Sequence, residues 1–175
     1  MTLFISSLYA DAKIYVGAGT GLFNEKFSSI EATNDSNLAS IKIGYGRRDS
    51  YAVEFSVDYI GKDSNIYSSN DGDKIGYNID LIKAFDLGIY INPYLKAGFG
   101  AGYFNVTSDR IDDINYGSFN LGFGTYIPIN ESFDFEVGYS YRNTSYERSD
   151  TRSSSDSKSY LSHVNIIYTG VNFRF

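Results

Sequence analysis

The sequence predicts an all-β protein, an eight-stranded antiparallel up-and-down transmembrane β-barrel whose apolar face points outward. Eight segments alternate apolar and polar residues with a period of two. Nearly all glycines in these segments fall on the polar side, and the connections alternate between short and long. No apolar run approaches the roughly 20 residues of a membrane helix, whereas a membrane strand needs only about 9–11 residues with every second one apolar.

The first four segments cover residues 14–22, 39–45, 51–59 and 75–81. The third is the clearest, because Val53, Phe55 and Val57 alternate with Glu54 and Asp58. Strict alternation over this length is typical of a strand with two different environments on its two faces. Each of these segments is therefore predicted to be one strand.

The second four segments cover residues 95–103, 118–127, 133–141 and 167–175. The last one departs from the pattern in its upper half. If the alternation continued there, Asn165 would face lipid while Val164 and Ile166 would face the interior. We therefore expect a bulge or a change of register in this strand.

The glycines support a narrow interior, because eight strands leave just enough room for side chains to fill a barrel. Small residues on the inner face relieve crowding and permit tight curvature. The glycine runs at 17–21 and 98–102 do not match the G-x-G-x-x-G pattern, and no helix is predicted after them. The sequence gives no reason to expect a nucleotide or any other cofactor.

Three connections are short, at 47–50, 84–92 and 128–132, and four are longer and polar, at 24–37, 61–73, 105–115 and 143–160. An even number of strands places both ends of the barrel on the side of the short turns. We therefore expect periplasmic termini and four long extracellular loops, the arrangement typical of outer-membrane barrels.

The composition excludes several kinds of site. There is no cysteine, so disulfides, thiolate metal ligands and a cysteine nucleophile are excluded. A net charge of −6 argues against a nucleic-acid partner. Residues 1–12 combine a short apolar stretch with Ala10-Asp11-Ala12, which is typical of a signal-peptide remnant, and residues 13–175 form the predicted barrel.

The final strand ends Phe173-Arg174-Phe175, and this pattern resembles the last strand of bacterial outer-membrane barrels. Residues 13–175 as a whole resemble the small eight-stranded barrels, namely the OmpX and Opa-like proteins and the barrel half of OmpA. The resemblance implies export through the periplasm to the outer membrane of a Gram-negative bacterium. It also implies that the barrel-assembly machinery recognises Phe173 and Phe175, and that outer-membrane lipid and lipopolysaccharide surround a monomer.

Charged residues on the predicted inner face are the first candidate site. We expect them to form ion pairs across the interior, since an unpaired charge there would be costly to desolvate. A gated pore for small ions and a catalytic carboxylate pair are the alternatives. The predicted network consists of Lys42, Glu54, Asp58, Asp80, Lys96, Glu136, Arg142 and Arg174.

His163 is the single histidine of the chain. Lipid A-modifying barrels of the deacylase group place a His and a nearby Ser on the lipid-facing wall, but here Asn165 occupies the position of that Ser. Ser162 is adjacent and is expected on the opposite face. A zinc site is also not expected, because the chain offers one His and no Cys as ligands. No catalytic or metal-binding residue is therefore assigned.

Aromatic residues near the strand ends are predicted to form two interfacial girdles. A soluble, lipocalin-like barrel is the structural rival, and it would place the apolar face inside and the charges outside. The girdle residues are Tyr51, Tyr59, Tyr77, Tyr94, Tyr103, Phe133, Tyr139 and Tyr141, with Phe173 and Phe175 at the end.

The predicted function is that of a non-enzymatic, structural envelope protein whose loops serve surface interaction or adhesion, including a host or surface ligand. A narrow porin is one alternative, and a lipid A-modifying enzyme is another. Acidic residues at 70–73 and 109–113 suggest divalent-cation bridging to lipopolysaccharide, and the serine-rich segment 145–159 suggests an exposed recognition surface.

Overall fold

The computed structural model describes residues 12–28, 33–61, 71–106, 114–147 and 161–175. The described residues form eight strands. In chain order the strands are β1 (Lys13–Phe27), β2 (Thr33–Gly46), β3 (Tyr51–Ile60), β4 (Asp71–Ala84), β5 (Asn92–Val106), β6 (Ile114–Pro128), β7 (Phe133–Tyr146) and β8 (Leu161–Arg174).

The sheet is a closed barrel in which each strand pairs with its neighbour in sequence. Closure is made by β1 and β8, which pair antiparallel from Tyr15 opposite Arg174 to Phe27 opposite Ser162. This arrangement leaves no strand edge unpaired, the condition that a sheet must meet to cross a bilayer. The predicted fold class is confirmed. Within the described ranges, no helix is long and apolar enough to span a membrane.

The apolar face points outward, as the alternation predicts. Val53 and Phe55 on β3 are exposed on the outer wall, with 52% of the Val53 surface accessible. Glu54 and Asp58 on the same strand are buried inside the barrel. The lipocalin-like alternative required the opposite arrangement and is therefore wrong.

The strands extend further than the predicted loops allow at the long-loop end. Residues 24–27 and 33–37 were expected in a loop but belong to β1 and β2, and Asp71 to Asp73 belong to β4. Long, polar strand ends lack the apolar alternation that identifies a strand, because they extend past the apolar part of the wall. The segments 1–11 and 107–113, with most of 145–159, lie outside the described residues, and with them the signal-peptide remnant, one acidic cluster and the serine-rich surface.

The prediction of a bulge in β8 is wrong. The pairing of β8 with β1 and with β7 runs without interruption through Val164, Asn165 and Ile166. Val164 and Ile166 do point inward, where they pack in an apolar cluster with Phe23 of β1. The register shift that is present lies instead between Asp71 and Lys74, where β4 pairs with β5.

The short turns, at 47–50, 85–91 and 129–132, all lie at one end of the barrel together with the start of β1 and the end of β8. The Arg174 backbone N–H donates to the Ser132 carbonyl at 2.7 Å, which ties the last strand to the third short turn. In the first turn, the Arg47 guanidinium donates two hydrogen bonds of 2.8 Å to the Asp49 carboxylate. This pairing raises the pKa of Arg47 and lowers the pKa of Asp49.

Candidate functional site: the barrel interior and its outer wall

The centre of the interior is organised around Lys42. Its ammonium group lies 3.2 Å from the Glu54 carboxylate and donates a hydrogen bond to Glu136. Glu136 also accepts hydrogen bonds from the Tyr94 hydroxyl at 2.5 Å and the Asn172 amide at 2.9 Å. One lysine thus bridges two carboxylates from β3 and β7, and neutral donors satisfy the remaining lone pairs of Glu136.

Lys96 lies at the same level on β5. Its ammonium nitrogen is 3.7 Å from the Asp80 carboxylate and 4.6 Å from the centre of the Tyr168 ring. The Tyr168 hydroxyl is in turn 2.7 Å from the Tyr94 hydroxyl. Lys96 is therefore held by a carboxylate and an aromatic face, and a tyrosine pair connects it to the Glu136 group.

Arg142 and Asp58 form the next ion pair toward the long-loop end, at 2.6 Å. The Asn78 amide donates to the same Asp58 oxygen at 2.9 Å, and the Asn120 amide donates to Asn78 at 3.1 Å. This chain of bonds links β7, β3, β4 and β6 across the lumen. The pair is consequently fixed from several sides.

Arg174 lies at the short-turn end, where it forms an ion pair with Asp134. Arg48, from the first short turn, bonds the other Asp134 oxygen at 2.9 Å. The Arg174 guanidinium also stacks 4.5 Å from the centre of the Tyr15 ring. The predicted network omits Asp134 and Arg48, although Asp134 follows the inward alternation of β7 two residues before Glu136.

A further buried ion pair, absent from the prediction, lies at the long-loop end. Glu25 bonds Lys74 and accepts hydrogen bonds from the Tyr146 hydroxyl at 2.5 Å and the Ser162 hydroxyl at 2.6 Å. The Lys74 ammonium also lies 4.9 Å from the centre of the Phe104 ring. Sequence reasoning missed this group because it placed Glu25 in a loop and Lys74 at the loop boundary, which removed both from the interior.

Two apolar layers separate these polar groups. Phe23, Leu38, Ile60, Val164 and Ile166 fill the space between the Arg142–Asp58 pair and the Glu25–Lys74 pair. The other layer lies near the short turns and consists of Tyr15, Ala52, Ile82, Ala84, Tyr94 and Tyr126.

A cavity of about 40 Å³ remains between the two apolar layers, lined by residues that include Lys42, Lys96 and Arg142. A cavity of this kind needs about 10–15 Å³ to hold one water molecule, so the space is enough for a few waters. Among the described residues, the interior around this cavity is filled by paired charges and apolar side chains.

Inward-pointing tyrosines occupy the space that the inner-face glycines leave. A Cβ placed on Gly44 would lie 2.2 Å from the Tyr15 ring, and one on Gly138 would lie 2.5 Å from the Tyr168 hydroxyl. Tyr94 is one of these tyrosines, since it is buried and bonded to Glu136. Its assignment to the girdle is therefore wrong, because its position on β5 alternates with the outward-facing Leu95.

The remaining girdle candidates all lie on outward-facing positions. Tyr51 and Phe133 are exposed at the short-turn end, and Tyr45, which the prediction omits, is exposed beside them. The other outward candidates toward the opposite end are Tyr59, Tyr77, Tyr103, Tyr139 and Tyr141. Phe173 packs 4.8 Å from the Phe133 ring and 4.8 Å from the Phe175 ring, and Phe175 is exposed.

His163 lies on the outer wall near the long-loop end. Its Nδ1 atom is 2.7 Å from the Tyr141 hydroxyl, and the two rings stack at 6.0 Å. Ser162 points to the interior, where it donates to Glu25, and Asn165 accepts a hydrogen bond from the Tyr139 hydroxyl at 2.6 Å. Within the described part of the chain, no group of three or more His, Cys, Asp or Glu side chains is arranged to hold a metal ion.

The fold is similar to that of several solved outer-membrane proteins. Neisserial surface protein A is 18% identical with a TM-score of 0.66, and the alignment covers 93% of this chain and 97% of that one. Ail, the attachment invasion locus protein of Yersinia pestis, is 16% identical with a TM-score of 0.58, with 94% and 99% covered. OprG from Pseudomonas aeruginosa is 14% identical with a TM-score of 0.52, with 94% and 96% covered.

No curated protein matches the sequence of this chain. The model of the outer membrane protein beta-barrel domain family matches residues 1–175, which is the whole sequence. The chain belongs to this family, and it is a protein of the bacterial outer membrane.

Proposed function

We propose that the protein is a non-enzymatic structural barrel with a closed interior, and that its long loops serve surface interaction. The observation that carries this proposal is the stack of ion pairs and apolar layers inside the barrel. Pairing offsets the desolvation of the buried charges, and the apolar side chains of Phe23, Leu38, Ile60, Val164 and Ile166 interrupt the polar groups of the interior. A chain under selection for conduction would be expected to keep a continuous polar path.

Conductance in planar bilayers tests this proposal directly. We expect no stable current steps from the wild-type protein or from Ile167→Ala, which changes an exposed residue of the outer wall. The matched variant Ile166→Ala removes a buried side chain of the apolar layer, and we expect brief current steps from it. Stable steps from the wild type, altered by Lys96→Ala, would instead establish the narrow porin.

The second part of the proposal is orientation. The short turns and the ends of the barrel are proposed to face the periplasm, and the long loops the cell exterior. The strand ends at the long-loop side support this arrangement, because polar residues such as Asn24 and Asp35 extend the strands beyond the apolar part of the wall. Outer-membrane barrels in general have short periplasmic turns and longer extracellular loops.

The adhesive role rests on the loops and on the likeness to Ail, whose structure is known in complex with the heparin analogue sucrose octasulfate. Bacteria that display this protein are expected to adhere to an immobilised extracellular matrix more strongly than bacteria that lack it. Deletion of residues 148–160 should remove the difference, whereas Glu131→Ala, at an exposed position in a short turn at the opposite end, should not. Equal adhesion by all strains would leave only the structural role.

Lipopolysaccharide is the proposed lipid partner at the long-loop end. Outward polar side chains meet there on neighbouring strands, since Asn24 bonds Asp35 and pairs across β1 and β8 with Asn165. We expect magnesium to raise the melting temperature in lipopolysaccharide-containing micelles, and Asp35→Asn to reduce that increase. Glu131→Gln, at an exposed position at the opposite end, is the control. An unchanged melting temperature with magnesium would remove cation bridging from the proposal.

A lipid A-modifying enzyme is the weaker alternative. The His163 Nδ1 atom is engaged by the Tyr141 hydroxyl, and the adjacent Ser162 is buried on the other face of β8. A serine nucleophile and its base must lie within hydrogen-bonding distance of one another. Unchanged lipid A from cells that overproduce the protein is the expected result.

A further inference from the structure

The turn between β4 and β5 differs from the other two short turns in its chemistry. Its seven residues, 85–91, have the sequence Phe-Asp-Leu-Gly-Ile-Tyr-Ile. Four large apolar side chains on it are exposed: Phe85 by 39%, Leu87 by 59%, Ile89 by 58% and Tyr90 by 69%. A turn that remained in water would be expected to carry Asn, Asp, Ser and Gly instead.

The backbone of this turn projects the apolar side chains away from the barrel. Gly88 has a φ of +67°, a left-handed conformation that favours glycine. The Gly88 N–H donates to the Asp86 carboxylate at 2.9 Å, which fixes the bend between Leu87 and Ile89. The bend thereby places Leu87 and Ile89 on either side of a tight corner, where both side chains are more than half exposed.

The turn is also continuous with the membrane-facing wall. Leu81 of β4 and Leu95 of β5 are exposed on that wall, four residues before and four residues after the turn. Between Leu81 and Phe85 lies Lys83, whose ammonium nitrogen is 4.1 Å from the centre of the Tyr51 ring and 5.8 Å from that of Phe85. A lysine whose stem covers apolar surface while its charge reaches the head groups is typical of a membrane interface.

We propose that the 85–91 turn is an interfacial anchor. Leu87, Ile89 and Tyr90 insert into the head-group region of the leaflet at the short-turn end, and the Lys83 ammonium lies beside the lipid phosphates. The ligand is a phospholipid surface rather than a protein. Seven residues between two strand ends reach only about 10 Å beyond the wall at most, so the turn stays within the interfacial layer.

The chain contains no tryptophan, so a single introduced tryptophan reports on its own surroundings. Three variants refolded into phosphatidylcholine vesicles form the test. Leu87→Trp reports on the turn, Leu95→Trp reports on the lipid-facing wall, and Glu131→Trp reports on an exposed position in the neighbouring short turn. Heat-modifiable migration in gels checks that each variant is folded.

We expect the fluorescence emission maximum of Leu87→Trp to lie at a shorter wavelength than that of Glu131→Trp. The emission maximum of Leu95→Trp should show the same shift. In vesicles of lipid brominated near the carbonyl groups, the Leu87→Trp emission should lose roughly half or more of its intensity, because an interfacial side chain contacts the upper acyl chains. Emission at the Glu131→Trp wavelength, with full quenching by aqueous acrylamide and none by bromine, would overturn the anchor and point to a protein partner.

Tryptophan itself prefers membrane interfaces, so an introduced tryptophan can bring the turn into the lipid on its own. A second set of variants therefore tests the contribution of the native Leu87 and Ile89 side chains. Tyr90→Trp is made alone and together with Leu87→Ser and Ile89→Ser. If the two aliphatic side chains hold the turn in the lipid, the combined variant should show emission shifted to longer wavelength and weaker bromine quenching than Tyr90→Trp alone. Identical spectra in the two backgrounds would contradict the proposed role of Leu87 and Ile89.

Discussion

Lys42 shows how single residues determine the interior. It contacts two carboxylates from strands on different sides of the barrel, and its side chain is almost fully buried. A buried charge is tolerated only when partners satisfy it, so loss of one member leaves the others uncompensated. The stability of this group therefore depends on all three residues together.

Replacement of Lys42 by Met is expected to lower the free energy of unfolding by about 3–5 kcal/mol, because Glu54 and Glu136 would be left without their cation. Urea unfolding of the protein in vesicles measures the change. Lys26→Met, at an exposed position on the outer side of β1, is the matched control and should change stability little. Adding Glu54→Gln and Glu136→Gln to Lys42→Met should restore part of the loss.

Phe173 and Phe175 have different surroundings. This difference allows the contribution of Phe175 to the stability of the barrel to be distinguished from its contribution to assembly in the membrane. Phe173 packs against Phe133, whereas Phe175 is exposed. Phe175→Ala should therefore leave urea unfolding in vesicles nearly unchanged but reduce the amount of folded protein in the outer membrane of cells. An equal reduction in both measurements would mean that Phe175 contributes to stability rather than to recognition by the assembly machinery.

At the scale of the strand, inward glycines and inward tyrosines are complementary. Gly44 on β2 faces Tyr15 on the neighbouring β1, and Gly138 on β7 faces Tyr168 on β8. Each glycine leaves a space on one strand that an aromatic ring from the next strand fills. The result is a densely packed interior in a narrow barrel.

Gly44→Ala is expected to destabilise the barrel by about 1–3 kcal/mol, because the new methyl group overlaps the Tyr15 ring and the core is already full. Gly117→Ala is the control, since its nearest neighbour is the Gly100 carbonyl oxygen at 3.9 Å. The temperature at which the folded band disappears in gels gives the comparison. If both variants melt together, the close packing of Tyr15 is not a source of stability.

The whole molecule is a wall that contacts lipid on the outside and pairs its own charges on the inside. Polar and apolar layers alternate from Arg174 at the short-turn end to Lys74 at the long-loop end. Because the layers are contributed by all eight strands, they connect distant parts of the chain. We expect the barrel to unfold as one cooperative unit for this reason.

Protease treatment of intact cells tests the proposed orientation of the whole barrel. Trypsin should cut within the β7–β8 connection, at Arg148, Arg152 or Lys158, while Arg47 and Arg48 in the short turn remain intact. The cut chain should stay in the membrane, because both fragments retain their strand pairing. Cleavage at Arg47 or Arg48 before permeabilisation of the outer membrane would reverse the assignment of the two faces.

The strand number, the outward apolar face and the outer-membrane location follow from the sequence alone. Alternation of period two is a local property, and the direction of the apolar face follows from charges such as Glu54 and Asp58 on the other side. The strand extensions at the long-loop end were harder to predict. The strand ends that carry Glu25 and Lys74 lack a clear apolar alternation. Their outward side chains extend past the apolar part of the wall, so they do not need to be apolar.

Only the tertiary structure shows which inward-pointing side chains contact one another. Sequence reasoning placed eight charges inside, but the bonds of Lys42 to Glu54 and Glu136 depend on the stagger between strands that are far apart in sequence. The same stagger brings Tyr94 to Glu136 and places Val164 and Ile166 beside Phe23. Alternation fixes the face on which a side chain lies, whereas closure of the barrel fixes its height and therefore its partner.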